Sequence, residues 1–479
     1  MRDAPFETLA CPLPLADPRA ALDAIADLPQ PFLLASTLPG PRARWSFFGA
    51  DPFQSFRGGR WEVAAAAWRA ARSTARSTAR SRRAPFTGGA VGYWAYDFGR
   101  RLERWRGDPR DGTPAVDDLG LPDVALGLYD VVGAIDHARG QGWLFSSGRP
   151  ETGPSRASRA RERLATFARR LEAAAAAAPP PAAFAASIAT PRSTFERAAY
   201  LDAVTRVREH IARGDIFQAN LSQRWSASLE SLTRPGAAGR ALFEALARCS
   251  PAPHAAFLDL GDHAVISASP ERFLELRGDR VETRPIKGTR RRGADRAEDE
   301  ARAEALAHSP KDRAENVMIV DVLRNDLGRV CETGSIGVPA LCELERFPQV
   351  FHLTSTVTGR LRHGLDALDL LTACFPGGSI TGAPKLRAIE IIDALEPVRR
   401  HIYTGAIGYL DWSGDADLSV AIRTATATPR ALHFAAGGGI TADSEPAAEY
   451  DETLDKAAGM MSALRALSGT SAGLPQVAR

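Results

Sequence analysis

Residues 255–289, AAFLDLGDHAVISASPERFLELRGDRVETRPIKGT, decide the fold class. Four short segments within them, Ala255–Leu260, Ala264–Ser267, Phe273–Leu276 and Arg280–Thr283, are rich in apolar and β-branched residues. Gly or Pro parts one from the next, which is the pattern of strands joined by turns. An amphipathic stretch over Phe195–Arg213 precedes them, with Ser193 or Thr194 as the expected cap and Gly214 as the stop. Helices are predicted after them at Asp295–His308, Ala314–Leu327, Leu365–Thr372, Lys385–Leu395 and Ala447–Ala466. Hairpin-like strands interleaved with such helices indicate an α+β architecture and not a regular βαβ repeat.

Towards the amino terminus, Phe32–Leu34, Trp45–Phe48 and Val124–Val132 have strand texture among frequent Gly and Pro. Residues 156–172 read as an Arg-rich helix, and a six-alanine run with Pro179–Pro181 follows, which a helix does not cross comfortably. The expected division is an amino-terminal region over 1–150, an Ala/Pro-rich linker over 151–192, a second domain over 193–467 and a tail over 468–479.

A chain of 479 residues, 44% hydrophobic and 24% charged, has the make-up of a globular protein with one large domain or two packed ones. Sixty basic against fifty-seven acidic residues are too balanced to argue for nucleic acid or a membrane surface as partner. The local exception is 63–96, where Arg69, Arg72, Arg76, Arg80, Arg82 and Arg83 occur without an acidic residue. Its Arg-Ser-Thr-Ala units carry no interleaved aromatics for base stacking, so a solvated insertion outweighs a polyanion-binding one. Five cysteines without metal-type spacing indicate reduced thiols. With no secretion signal and no bilayer-length apolar run, cytoplasm is the expected compartment.

Two glycine-rich segments resemble nucleotide motifs only superficially. Gly437–Ala442 follows a strand-like run, but too little chain remains for a dinucleotide-binding half. Gly378–Lys385 has the wrong Gly-to-Lys spacing for a phosphate loop and a proline before the lysine. Both still offer backbone N–H groups to an anion. Asp312 with Glu315, and Glu449 with Glu452, form pairs three apart at helix starts, so each pair shares a face. Solvated dipole partners are the ordinary reading of such pairs. If the four converge they need a cation, and an all-oxygen set suits Mg²⁺. Lys287, between Pro285-Ile286 and Gly288-Thr289, is a candidate nucleophile if a closed site desolvates its amine.

Ser269-Pro270-Glu271-Arg272-Phe273, Pro285 to Thr289, Ala314-Glu315-Asn316 and Asp321 to Leu327 together resemble the signatures of the chorismate-utilising enzymes. The likeness continues through Phe375 to Lys385, Ala421 to Thr424, Gly437 to Ile440 and Glu449 to Thr453, covering roughly residues 195–465 in family order. Phe32 to Ser36, Arg44 to Phe48 and Gly88 to Asp97 extend it to the amino terminus. In relatives this region can hold a regulatory tryptophan pocket, and Ala35 departs from the acidic residue often found there. The resemblance implies two large, mostly antiparallel sheets packed as a sandwich with helices outside and the site between them.

It also implies roles. Lysine at 287 resembles the aminodeoxychorismate synthases, whereas anthranilate synthases carry a small residue at this place. The implied reaction joins chorismate and ammonia through a covalent lysine intermediate, with Glu271 as general acid and base and His352 at the reacting ring. Mg²⁺ would be held by Glu315 and Glu452 directly and by Glu449 and Asp312 through water. The second carboxylate of the substrate would meet Arg423, Tyr403 and the Gly438 and Gly439 amides, with Ser379, Thr289 and Lys456 as further contacts. Because no Gly-x-Cys-x-Gly elbow is present, ammonia would come from a glutamine amidotransferase subunit. An anthranilate synthase component, an isochorismate or salicylate synthase and a non-catalytic polyanion-binding protein are the alternatives.

Overall fold

The computed structural model describes residues 7–468 except 14–16, 39–42, 60, 74–82, 104, 106–111, 177–187, 230–233 and 348–349. Two antiparallel sheets dominate it, with twelve and ten strands among the described residues. The larger sheet runs in the order Leu9–Pro12, Gln141–Ser146, Val131–Asp136, Trp45–Gly49, Phe32–Ala35, His254–Asp259, Ala264–Ser269, Thr424–Ala427, Ala431–Ile440, Gln218–Ser228 and Gly382–Ala383. The smaller begins with Ile286–Arg291 and Val350–Arg360 and passes through Arg280–Thr283, Arg272–Arg277, Ala416–Val420 and Ala406–Asp411. It ends with Gly89–Trp94, Val124–Tyr129 and Gln54–Arg57.

Side chains from the two inner faces fill the space between the sheets. Phe32, Phe47, Val132, Phe145 and Leu258 of the larger sheet meet Val91, Tyr93, Ile407 and Tyr409 of the smaller. Each outer face is covered by helices, so strand residues on both faces are buried. The α+β sandwich with external helices is therefore the architecture of this chain. Among the described residues no helix is long and apolar enough to cross a membrane, and all five cysteines are unpaired thiols.

The 151–192 boundary corrects the two-region division. Strands from both sides of it make up each sheet: Phe32–Leu34 pairs with Ala256–Leu258, and Gly89–Trp94 with Ala406–Asp411. Much of the expected linker is a helix, Gly153–Ala176, that buries Ala160, Leu164, Phe167 and Leu171. Apolar residues at i, i+4, i+7 and i+11 give it a face to pack, and an alanine run prolongs rather than interrupts a helix. Residues 177–187 and the tail beyond Ser468 lie outside the described residues. The single run expected over Val124–Val132 is two strands in different sheets, joined at Asp130, whose buried carboxylate meets Arg163 at 3.2 Å and Arg159 at 3.4 Å. Of the arginine-rich segment, Arg76, Arg80 and Arg82 fall outside the described residues. Arg69 is held by Asp366 and Asp369, each at 2.8 Å, and Arg72 stacks on Trp68.

Candidate active site

Lys287 owes its aim to an irregularity in its own strand. Ile286 pairs with Thr354 and Thr289 with His352, so three steps on one strand oppose two on the other, leaving a bulge at Lys287-Gly288. A bulge redirects a side chain. Gly288 takes φ +83°, and a β-carbon there would lie 3.0 Å from the Asp312 side chain and 2.9 Å from Leu306. Only glycine meets both demands. The Lys287 amine reaches Gly439, where an added β-carbon would come within 3.3 Å of it. Desolvation lowers the amine's pKa, although Glu315, Glu271 and Glu452 favour the charged form.

Glu271 follows the turn after Ala264–Ser269 and is 4% exposed. Burial pushes its carboxyl up to about 7, against a hydrogen bond from Ser379, the nearby Lys287 charge and the Ile286 N–H. Such a group holds a proton near neutrality and gives it up readily. Ser379 comes from the short turn Gly378–Ile380, just before the helix Lys385–Leu395.

Helix Pro310–Gly328 begins with the Ser309 cap and a proline in its first turn, a full turn earlier than expected. Asn316 fastens it to Val350–Arg360, donating to the Leu353 carbonyl at 3.1 Å. This brings Glu315 towards Lys287. Burial raises the Glu315 pKa, Lys287 and Lys311 oppose the rise, and Asp312 and Glu452 add to it. Helix Pro446–Leu467 supplies Glu449 and Glu452. Ser444 donates to Glu449 at 2.6 Å, and burial raises that carboxyl too. For Glu452 burial is outweighed by Lys456, 2.6 Å away, and the pKa falls. Lys456 also donates to the Gly437 carbonyl at 2.9 Å, and Lys311 lies 3.6 Å from Glu449.

Among the described residues no three of these carboxylates form a preformed metal cage. Lys311 and Lys456 carry the countercharge, and Asp312 is turned to Arg290 at 2.8 Å. The donor chemistry still fits Mg²⁺. Glu452 repels both Glu449 and Glu315, and a β-carbon on Gly438 would sit 3.0 Å from Glu449 and 3.4 Å from Glu452.

The glycine run continues the strand before it. Gly437, Gly438 and Gly439 lie inside strand Ala431–Ile440, paired on one side with Ser222, Leu221 and Asn220. On the other side Thr424–Ala427 pairs only as far as Phe434, so the glycine edge is left open towards Lys287. Arg423 stands at the start of that shorter strand in a left-handed conformation, φ +50°. Burial lowers its pKa, and no carboxylate among the described residues opposes the effect. Tyr403 lies between two further left-handed residues, His401 and Thr404, and the Thr404 N–H bonds to Ala421 at 2.8 Å, two residues before Arg423. Non-glycine residues in that region cost about 1–3 kcal/mol each and cluster at functional sites. His352, 3% exposed, shares a 2.9 Å hydrogen bond between its Nδ1 and the Thr289 hydroxyl. Burial, then Arg423, lowers its pKa to about 3, so the imidazole is neutral.

One residue of the site carried no signal in the sequence. Gln218 is 1% exposed, and neither its Nε2 nor its Oε1 has a hydrogen-bond partner among the described residues. Its Nε2 would touch a β-carbon on Gly439 at 1.8 Å, so the amide lies across the glycine edge beside Lys287. Polar residues occur throughout its segment, and only the register shows which of them faces inward.

The sequence profile of the chorismate binding enzyme family matches residues 30–462. Aminodeoxychorismate synthase component 1 of Klebsiella aerogenes is 48% identical over 372 residues, spanning 78% of this chain and 76% of that protein. Anthranilate synthase component 1 of Thermus thermophilus is 42% identical over 393 residues, 81% of this chain and 79% of that one. The crystal structure of anthranilate synthase component I from Streptococcus pneumoniae superposes with a TM-score of 0.72 at 31% identity, over 88% of this chain and 93% of that chain. From end to end of the sandwich, then, the chain belongs to the chorismate binding enzyme family and is a chorismate-utilising enzyme.

Proposed function

We propose that this enzyme converts chorismate and ammonia to 4-amino-4-deoxychorismate, the first dedicated step towards 4-aminobenzoate, in the cytoplasm. The observation that carries the reading is the Lys287 amine, desolvated on a bulge beside the glycine edge and within electrostatic reach of Glu271. A relative at 48% identity is named component 1 of an aminodeoxychorismate synthase, which supports both the reaction and a partner subunit. We take that partner to be a glutamine amidotransferase that supplies ammonia.

In the first half-reaction the neutral Lys287 amine forms a bond to C2 of the ring. The two conjugated ring double bonds each shift by one position, and the C4–oxygen bond breaks. Protonated Glu271 gives its proton to the departing hydroxyl, which leaves as water. In the second half, ammonia bonds to C4, both double bonds shift back and the C2–nitrogen bond to Lys287 breaks. The Glu271 carboxylate takes the proton that the incoming amine sheds, and Lys287 leaves as the free amine. The enolpyruvyl ether is untouched, so no pyruvate forms. Arg423, Tyr403 and the Gly438 and Gly439 amides orient one substrate carboxylate, and neutral His352, fixed by Thr289, lies against the ring. Mg²⁺, held by Glu315, Glu452, Glu449 and Asp312, would neutralise the ring carboxylate when bound.

The purified enzyme is tested with chorismate, Mg²⁺ and ammonium at alkaline pH, with products identified by mass spectrometry. Aminodeoxychorismate without pyruvate is expected, together with loss of that product in a folded Lys287→Ala variant. Anthranilate with pyruvate, or normal turnover by Lys287→Ala, would defeat the reading.

A further inference from the structure

We propose that Arg400 is a positioning residue for this reaction, a buried brace that holds the Ser379 turn against the strand facing Gly439 and so fixes the two walls of the site relative to each other. Arg400 is 6% exposed and offers five N–H donors in a planar fork. All five find acceptors. Nε donates to Glu396 Oε2 at 2.9 Å and one terminal nitrogen to Glu396 Oε1 at 2.6 Å. The same terminal nitrogen also donates to the Asn220 carbonyl. The other reaches the Ile380 carbonyl at 2.9 Å and the Thr404 hydroxyl at 3.5 Å.

The acceptors lie on separate segments around the site. Ile380 is the residue after Ser379, which lies beside Glu271 and favours its charged form. Asn220 is the register partner of Gly439, beside Lys287. Thr404 follows Tyr403 in the strained turn. Glu396 is anchored in turn by the Ser222 N–H and hydroxyl, both at 2.8 Å, and Ser222 is the partner of Gly437. A second link runs parallel, from the Asn220 N–H to the Thr381 carbonyl at 2.7 Å. Arg400 thus touches no candidate reacting group, yet it joins the turn that serves the acid to the strand behind the nucleophile. Lysine cannot reproduce this, because a single ammonium lacks the fork.

The proposal rests on the role given to Glu271, so the test separates the two. Ser379→Ala, Arg400→Lys and the double variant are compared with the wild-type enzyme. The pH profile of kcat/KM for chorismate is read alongside backbone amide exchange followed by mass spectrometry. Loss of the Ser379 hydrogen bond is expected to move the limb belonging to Glu271 upwards by about one pH unit. Arg400→Lys is expected to move it in the same direction, and the double variant no further than Ser379→Ala alone. In Arg400→Lys, exchange over residues 377–384 should rise roughly tenfold, about one lost hydrogen bond, and stay unchanged in the remote strand Gly89–Trp94. A general loss of stability would raise exchange throughout and leave the limb in place. Wild-type exchange over 377–384, or limb shifts that add in the double variant, would overturn the brace. If Ser379→Ala leaves the limb unmoved, the role of Glu271 falls and the exchange measurement alone decides on Arg400. Glu396→Gln, which removes the ionic anchor and keeps the carbonyl bonds, replaces Arg400→Lys if the latter does not fold.

Discussion

Replacing Glu271 by glutamine is expected to cost turnover and raise stability at the same time, and the second effect depends on pH. An ordinary glutamate at 4.5 stands at about 7 in the folded site, pushed there chiefly by burial. That gap corresponds to about 3 kcal/mol. The folded-state pKa is raised, so the wild-type chain has its full stability below the unfolded value and loses this increment as pH rises through about 7. Glutamine keeps the shape and the acceptor for Ile286 and Ser379 without the charge. At pH 8 the variant should therefore be more stable by up to about 3 kcal/mol, and at pH 5 by less than about 1 kcal/mol. For a chain of 479 residues this is roughly 3 °C in Tm. Thermal unfolding of both proteins at the two pH values is the assay, with kcat expected to fall by about 10²- to 10⁴-fold throughout. An equal change in Tm at both pH values would refute the reasoning, because it would mean that the wild-type carboxylate bears no desolvation cost.

Three further outcomes follow from the same geometry. Gly439→Ala should lower kcat/KM by about 10²-fold with little change in Tm, since its β-carbon must displace the Gln218 amide from beside Lys287; steady-state kinetics and thermal unfolding check this. Ser444→Ala removes the hydrogen bond that orients Glu449 and should weaken Mg²⁺ binding by about 10- to 100-fold, measured by isothermal titration. Arg423→Met should raise KM for chorismate by roughly 10- to 100-fold, the worth of charge-assisted hydrogen bonds to a carboxylate, while the unliganded protein gains stability from losing a desolvated cation that no carboxylate among the described residues balances.

What could be read from sequence followed how local the cause was. Strand Arg280–Thr283 and helix Lys385–Leu395 have their predicted ends, because apolar alternation and a helix-starting proline act within a few residues. The helix after Thr194 starts at Arg197 behind Glu196, which caps nothing with its side chain, while Ser193 bonds instead to the Phe195 N–H and to Gln223. A hydroxyl near a helix start has several local partners, and tertiary contacts choose between them. In sequence the glycine run shows only backbone N–H groups open to an anion, because glycine is rare in strands. Here Gln218, Lys287 and Glu449 crowd it, and only a side chain without a β-carbon fits. The Lys287 bulge, the Gln218 amide and the Arg400 fork depend on which strand lies beside which. Such pairings join residues distant in the chain, from Ile286 with Thr354 to Asn220 with Gly439, and no local pattern records them.

Those long pairings also shape how the protein must be made. Strand Gly89–Trp94 finds its neighbour Ala406–Asp411 more than 300 residues later in the chain. On a ribosome adding about 5 to 20 residues per second, its apolar edge waits roughly 15 to 60 seconds for a partner. The amino-terminal half emerges in that time as a set of sticky half-sheets, Trp94 and Phe48 among them, with nothing yet to close them. A cut between the two halves of the chain would split both sheets, between Phe32–Ala35 and His254–Asp259 in one and between Gly89–Trp94 and Ala406–Asp411 in the other, and would release no separable module.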